Sequence, residues 1–514
     1  MKSSSDSLKP RTRVWALGIL AALSFLTYWV LVALSLNPKL SIVHDVGGAT
    51  YGGPLTWPSR WLHLAGISPQ AREWLFIFLV AVLTVMWLAA IYVVRRDNRR
   101  SLTIIIAGAF GAFALLFVFG PAFQSTDVFS YAWMGRVMSV YHRNPYVLLP
   151  VQRPHDIFYP MIGWKYNTSV YGPVFHYVSY FLARIGGNSI ARSVLLYKLL
   201  ACASYAACLA LVYNLTRRIA PGRENMALAV SAWCPILVMH ILGGAHNDLL
   251  MVAFVLGGYL LYRKGYLLAG IAVAAVAVAV KLTAALALAP LIVLYVRDRK
   301  GAQLKRLVAG GSTSIAVVGL LYLPFWDGMK IFSSTSHMSK LYSGASVPGL
   351  VSFEYQKILT RGGMSASRAA AVANSRVQLL FLAIMAAGAV ILLLGVKDFR
   401  SMAACAGGLV LLWFLTTTYI LPWYLALGLL VVAISGWNLT TGLLVAASAI
   451  LGLYRIPLAK SISGPTTYIA LPLATLLAAW LVTGGYSRWK ARRATSEATA
   501  TEGALDLEPV LPED

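Results

Sequence analysis

The sequence predicts an all-α, polytopic membrane protein, and three observations carry that prediction. Hydrophobic residues fill 59% of the 514 positions and charged residues only 12%, giving a mean hydropathy of +0.71. Apolar runs of about 15 to 23 residues recur along most of the chain, the length a helix needs to cross a bilayer. Basic residues gather between those runs, in RRDNRR (95–100), TRRIAPGR (216–223), YRK (262–264), RDRKGAQLKR (297–306), KDFR (397–400) and RWKARR (488–493). In a soluble chain a formal charge of +25 would suggest nucleic acid. Here the clustering is the positive-inside pattern, which places these segments in the cytoplasm and leaves no role for nucleic acid.

Taken in order, residues 1–13 are a short cytoplasmic segment. The roughly 22 apolar residues that follow are too long for a signal-peptide core, so they read as an uncleaved first span. Spans are expected near 14–36, 72–94, 102–121, 192–214, 225–242, 248–263, 266–281, 282–296, 306–325, 376–395, 402–419, 421–435, 437–454 and 466–484, about fourteen in all. Both termini then face the cytoplasm, and so does every basic cluster. Residues 14–486 form one transmembrane domain, and 487–514 a polar, acidic cytoplasmic tail expected to be disordered. The stretch YGPVFHYVSYFLARIGG (171–187) is apolar, but as a full span it would put 216–223 outside. It is expected as an interfacial or re-entrant helix on the outer face, with its tyrosines, Trp133 and Trp164 at headgroup level. The four cysteines lie in apolar runs without metal-ligand spacing and are expected to pack as small hydrophobes.

Three outer segments are long, 37–71, 122–191 and 326–375, and long loops on a compact bundle are where function concentrates. Of the 18 acidic residues, most fall in the tail or beside cytoplasmic basic clusters. Outside remain Asp45, Glu73, Asp127, Asp156, Asp248, Asp327 and Glu354. Asp127 stands out because it follows a span by about one helical turn, among Ser125, Thr126, Ser130, Tyr131 and Arg136, where a carboxylate is costly unless it has a task. It is either a catalytic base or the N-cap of a helix starting near Val128. Arg136, nine residues on, suits a phosphate through its planar fork or else a lipid headgroup. His142 and Arg143 could serve the same phosphate, and Asn144-Pro145 reads as a turn that ends the helix.

A second constellation is GGAHNDLLM (243–251). His246 and Asp248 are too close together for a metalloprotease pair and lack a third ligand, so no metal is expected. Asn247 or Asp248 either caps the next helix, or these residues line a substrate site. Lys281 interrupts the apolar run 269–290; splitting that run there brings the lysine to the outer surface, to meet headgroups or a substrate phosphate. Pro422-Trp423-Tyr424 reads as an aromatic-belt turn or a sugar-stacking site.

The stretches TDVFSYAWMGRVMSVYHRNPY, AHNDLLM, KLTAALALAP and LPWYL, in this order over roughly residues 100–430, resemble the polytopic glycosyltransferases of the GT-C superfamily that use polyprenyl-phosphate sugars. They most resemble the actinobacterial α-1,6-mannosyltransferases that build the lipomannan backbone. The resemblance implies a GT-C type bundle with outer-face interfacial helices and a catalytic carboxylate in the first long outer loop, which is Asp127 here. Many members carry paired acids at that point, whereas this chain has Asp127 followed by Val128. A lone carboxylate makes a poor magnesium cage, and no cofactor is expected. The implied reaction moves a sugar, mannose by resemblance, from a lipid-phosphate donor to a glycan or glycolipid acceptor at the outer face of the plasma membrane. Asp127 acts as general base, and inversion results. The expected substrate-binding set is Arg136, Tyr131, His142, Arg143, Asn144, Tyr146, His246, Asn247, Asp248 and Lys281. The alternative is a transporter or lipid flippase, which would favour ionisable groups near the midplane and broken helices in repeated halves.

Overall fold

A computed structural model describes residues 9–35, 58, 61–64, 66–123, 125–298, 300–338, 341 and 346–453. Among these the chain is helical, with no β-strand beyond one isolated bridge. Helices occupy every expected span as far as 437–454; the span expected at 466–484, the basic cluster 488–493 and the tail lie outside the described residues. Not all of these helices have the length of a full span. Seven described helices are long and apolar enough to cross a bilayer, or eight if the bent pair 224–243 counts as one span, while Leu267–Val278, Leu282–Arg297, Pro422–Ala433 and Leu439–Gly452 are shorter.

Of the first three long helices, α1 (Pro10–Ser35), α2 (Pro69–Val94) and α3 (Arg100–Val118), α1 packs on both of the others. Then come α4 (Asp127–Ser139), α5 (Pro173–Gly186), α6 (Ile190–Ile219) and α7 (Glu224–Ala232). Pro235 follows α7, cannot donate to the helical ladder, and bends the chain by 59° into a π-helical turn at Leu237–Gly243. The path continues through α8 (Asp248–Arg263), α9 (Leu267–Val278), α10 (Ala285–Arg297) and α11 (Gln303–Tyr322). After α12 (Ser333–Met338) and α13 (Val347–Arg361), the last described elements are α14 (Ala366–Leu394), α15 (Phe399–Thr416), α16 (Ala426–Ala433) and α17 (Leu439–Leu453). Segment 171–187, expected as an interfacial or re-entrant helix, is the 14-residue α5, too short for a span and packed along α4. The two helices approach closely at Gly135, where a Cβ would sit 2.2 Å from the Ser179 carbonyl oxygen.

The turns sort into two ends. At one end Arg99 reaches Asp97 and the Pro10 carbonyl, Arg223 donates to the Arg95 carbonyl, Asn225 to the Asp97 carbonyl, and Arg400 to the Ser435 carbonyl. Arg263 lies over the Phe399 ring, and Arg297 donates to the Leu394 carbonyl. All the described basic clusters therefore share one end of the bundle, as a positive-inside sequence requires. The turns 119–127, 243–248, 279–284 and 417–424 meet at the opposite end. Cys208, Cys234 and Cys405 are buried as free thiols and Cys202 is half-buried.

A cation that the sequence reading passed over fixes that opposite end. Lys198, on α6, is fully buried, and its ammonium donates to the carbonyls of Phe117, Gly120 and Pro121 at 2.7, 2.7 and 2.6 Å. Helix C-termini leave carbonyls unpaired, and a cation there also opposes the negative end of the helix dipole. Three donors meet three acceptors, so no N–H of the ammonium is left unbonded. Replacing Lys198 with Met would strand those carbonyls in an apolar setting. The expected loss is at least about 3 kcal/mol, seen as a lowered melting temperature and reduced recovery of monodisperse protein in detergent.

Candidate active site

The loop that leaves α3 carries Ser125, Thr126 and Asp127 into a cavity of about 260 Å³ at the end opposite the basic turns. The cavity is lined by Asp127, Ser130, Trp133 and Met134 from α4, by Trp164, Asn167, Thr168, Ser169 and Tyr171 from the following loop, and by Lys281, Tyr419, Trp423 and Tyr424. Its walls thus combine aromatic faces with short hydroxyl and amide groups, around one carboxylate and one ammonium.

Asp127 is the first residue of α4, not its N-cap. Thr126 holds the cap position without a side-chain bond, and the Asp127 amide donates to Ser125 Oγ at 3.1 Å. Its carboxylate is therefore not consumed by capping. Oδ2 lies 3.6 Å from His246 Nδ1, and the side chain retains 16% exposure. Burial, partly opposed by Lys281 and reinforced by Asp248, pushes the carboxyl up to about 6, against weaker lowering by Ser125 and Trp164.

His246 faces Asp127 from the turn between the π-helical segment and α8. Its ring stacks on Trp423 with centroids 3.7 Å apart, and Nδ1 also lies 3.3 Å from the Tyr131 hydroxyl. Burial, with His240 and Lys281 adding to it, pushes the imidazole well below its ordinary range. The Asp127–His246 contact is accordingly a polar contact with a neutral ring, not an ion pair. Tyr171 donates to the Tyr131 hydroxyl at 3.4 Å, so a line of polar groups runs from the cavity wall to His246. Asn247 is buried, with neither side-chain amide atom bonded to the described residues.

Lys281 owes its place to a broken helix. The run 269–290 divides as expected: α9 stops at Val278 and a 3-10 turn begins at Leu282. The freed carbonyls of Ala279 and Val280 are taken by the amides of Val174 and Gly172 at 3.0 and 2.9 Å. Position 172 must be glycine, because a Cβ would fall 2.1 Å from the Ala279 oxygen. The lysine ammonium pairs with Asp248 Oδ1 at 2.7 Å and lies 5.2 Å from the centroid of the Tyr424 ring.

The structure brings Asp127, Tyr131, His246, Asp248 and Lys281 together but leaves the other expected residues apart. Arg136 is buried away from the cavity, its Nε 2.9 Å from Asp156 Oδ2 and its Nη1 2.8 Å from Asn188 Oδ1. Tyr141 donates to the same carboxylate oxygen at 2.8 Å. A guanidinium so committed ties the end of α4 to the loops around 156 and 188, and the expected phosphate contact is corrected to a structural one. His142 and Arg143 are exposed, His142 in the left-handed region at φ 50° just past α4. Asn144 donates to the Phe325 carbonyl, and Tyr146 donates to the Tyr171 carbonyl at 2.6 Å, so both brace the loop. Trp133 and Trp164 both line the cavity. The polar run Asn167-Thr168-Ser169 was missed; its signal was three small polar residues beside Trp164 in a long outer segment.

The raised Asp127 carboxyl has a consequence for stability. Folding favours its protonated form, so its contribution is fully present below about pH 4 and is lost as pH rises through 6. Asp127→Asn, neutral throughout, should therefore be more stable than wild type at pH 7.5 by about 1–3 kcal/mol. The difference should close toward pH 4.5. Thermal unfolding in detergent at the two pH values measures it.

A sequence profile for the family described as alpha-(1->6)-mannopyranosyltransferase, N-terminal domain, matches residues 41–297, half of the chain. That match covers Asp127, His246, Asp248 and Lys281. The chain is 33% identical over 188 residues to alpha-(1->6)-mannopyranosyltransferase A of Mycobacterium tuberculosis, covering 35% of each protein. It is 27% identical over 220 residues to alpha-(1->6)-mannopyranosyltransferase A of Corynebacterium glutamicum, covering 40% of this chain and 44% of that one. A third relative, alpha-(1->6)-mannopyranosyltransferase B of the same Corynebacterium, is 25% identical over 178 residues, covering 33% of this chain and 29% of that one. The matched regions thus span less than half the length of each of these relatives. With half of its length matched by the profile, and the cavity's charged residues inside that half, the chain belongs to the alpha-(1->6)-mannopyranosyltransferase A and B family.

Proposed function

We propose that the chain is a membrane mannosyltransferase that moves mannose from a polyprenyl-phosphate donor to a hydroxyl of a glycan or glycolipid acceptor. The carrying observation is the presence of one unconsumed carboxylate, Asp127, and one ammonium, Lys281, in a single cavity whose other lining residues are uncharged, a mix of aromatic, aliphatic and neutral polar side chains. The names of the relatives supply mannose. The location of the cavity supports the donor: it lies at the end away from the basic turns, where a bilayer-held lipid phosphate can present its sugar. By the positive-inside argument this end is the outer face, with both termini cytoplasmic.

In this reading an acceptor oxygen attacks the anomeric carbon while its proton passes to Asp127. The bond from that carbon to the phosphate oxygen breaks, and the electron pair stays on the phosphate. Lys281 steadies the charge that develops there, and a single displacement inverts the anomeric centre. Trp164, Trp423 and Tyr424 offer faces for sugars, and Asn167, Thr168 and Ser169 offer hydrogen bonds. Transport fits less well. Lys198, the buried cation of the span behind the cavity, has all three donors committed to carbonyls, which leaves it no part in an ion path.

Membranes carrying the protein, radiolabelled polyprenyl-phosphate mannose and a short α-mannoside acceptor provide the test. Wild type should label the acceptor, and Asp127→Asn at equal expression should lose activity by about 10²–10⁴-fold. Labelling unchanged in that variant would remove Asp127 as base.

The same assay carries a pH prediction. A base must be ionised to work, so kcat/KM should fall as pH drops through about 6, the raised value of Asp127. An acid limb near 4 would mean that the carboxylate is not the desolvated group described above.

A further inference from the structure

Lys281 faces two ways. In front it lines the main cavity; behind, it lines a void of about 10 Å³ shared with Asp248, Met251, Thr283 and Trp413. Asp248 does not line the main cavity and is 3% exposed. One carboxylate oxygen holds the ammonium at 2.7 Å, while the other, Oδ2, is buried without a hydrogen-bond partner among the described residues. Asp248 is also the first residue of α8, where the helix dipole favours negative charge whether or not the lysine is engaged. Tyr424 flanks the ammonium, so the cation can lean toward either neighbour without leaving its aromatic contact.

The proposed reaction gives this arrangement a purpose. A glycosyl-phosphate donor carries one negative charge on its phosphate. Once the sugar has left, the lipid carries a phosphate monoester, whose second ionisation lies near 6, so it holds close to two charges at neutral pH. An unaccompanied buried lysine would attract the spent lipid phosphate more strongly than the donor. Turnover would then stall on product.

We propose that Asp248 is a positioning residue that offsets the charge of Lys281, so that the cavity holds the singly charged donor phosphate and lets go of the doubly charged product. The proposal rests on the reading of Lys281 as the contact for the donor phosphate. Asp248 touches neither sugar nor phosphate and acts through the lysine. With the carboxylate behind it, the Lys281–Asp248 pair is close to neutral before the donor arrives, and the extra charge created by bond cleavage meets repulsion from Asp248 as well as attraction from Lys281. When the product leaves, Asp248 reclaims the ammonium.

The test uses the full-length protein in detergent or nanodiscs, with farnesyl phosphate as the monoester probe and polyprenyl-phosphate mannose as donor. Asp248→Asn should bind farnesyl phosphate at least tenfold more tightly than wild type, while the donor KM falls by less than threefold and kcat falls. Asp248→Glu should return all three values toward wild type, and Lys281→Ala should abolish the tightening in the Asp248→Asn background. Thermal unfolding identifies folded variants; if the asparagine variant does not fold, Asp248→Ser removes the same charge. Unchanged or weaker farnesyl phosphate binding in a folded neutral variant would overturn the proposal, as would equal tightening toward donor and product. Wild type that binds and transfers normally, beside such a variant, would sink this inference alone. Wild type that binds no lipid phosphate would sink the reading of Lys281 and this inference together. Wild type that binds the phosphate but transfers no mannose would sink the reaction, and the binding ratio would still decide the role of Asp248.

Discussion

Three hydrogen bonds from one buried ammonium set the geometry on which the cavity depends. Lys198 gathers the Phe117, Gly120 and Pro121 carbonyls and so ends α3 at a defined point. From there the Phe123 amide donates to the Gly243 carbonyl at 3.0 Å, joining the outgoing loop to the π-helical turn. Asp127 lies four residues beyond that junction and His246 three residues beyond it on the other strand of chain. Their approach to 3.6 Å follows from a cation that touches neither. A cation inside an apolar bundle is costly, and here all three of its N–H groups are bonded, which fixes the backbone path.

His246 shows the same economy of placement. Stacked on Trp423 and buried, it stays neutral and presents Nδ1 to both Asp127 and Tyr131. A charged imidazole there would pull the carboxyl down and leave a weaker base. The neutral ring lets desolvation hold the Asp127 carboxyl near 6, the range that the proposed base requires.

Much of this was legible in the sequence, because burial in lipid leaves few explanations for a charge. Asp127 was marked by its place at the end of an apolar run, and Lys281 by splitting one. The shared end of the basic turns follows from their spacing. What could not be read was pairing across sequence distance. Arg136 and Asp156 are twenty residues apart, and neither announces the other, so an arginine that braces a loop looked like one that grips a phosphate. Lys198 did carry a signal, a lone lysine inside an apolar run, but its partners are backbone carbonyls, which no sequence displays. Tyr146 and Asn144 sit in a distinctive motif because they brace that loop. A conspicuous pattern identified the neighbourhood without separating walls from chemistry.

The docking of residues 172–174 onto the broken end of α9 bears on how such a site can be remodelled. The amides of Gly172 and Val174 bind the carbonyls next to Lys281, and the glycine allows no side chain at the junction. The loop that bears the aromatic and hydroxyl wall is therefore fastened to the same turn that carries the ammonium. It is not an interchangeable cassette. Grafting the loop from one relative into another would shift the cation along with the wall unless the 279–281 turn travelled with it. The cavity wall and the turn that bears Lys281 are in this sense one structural block.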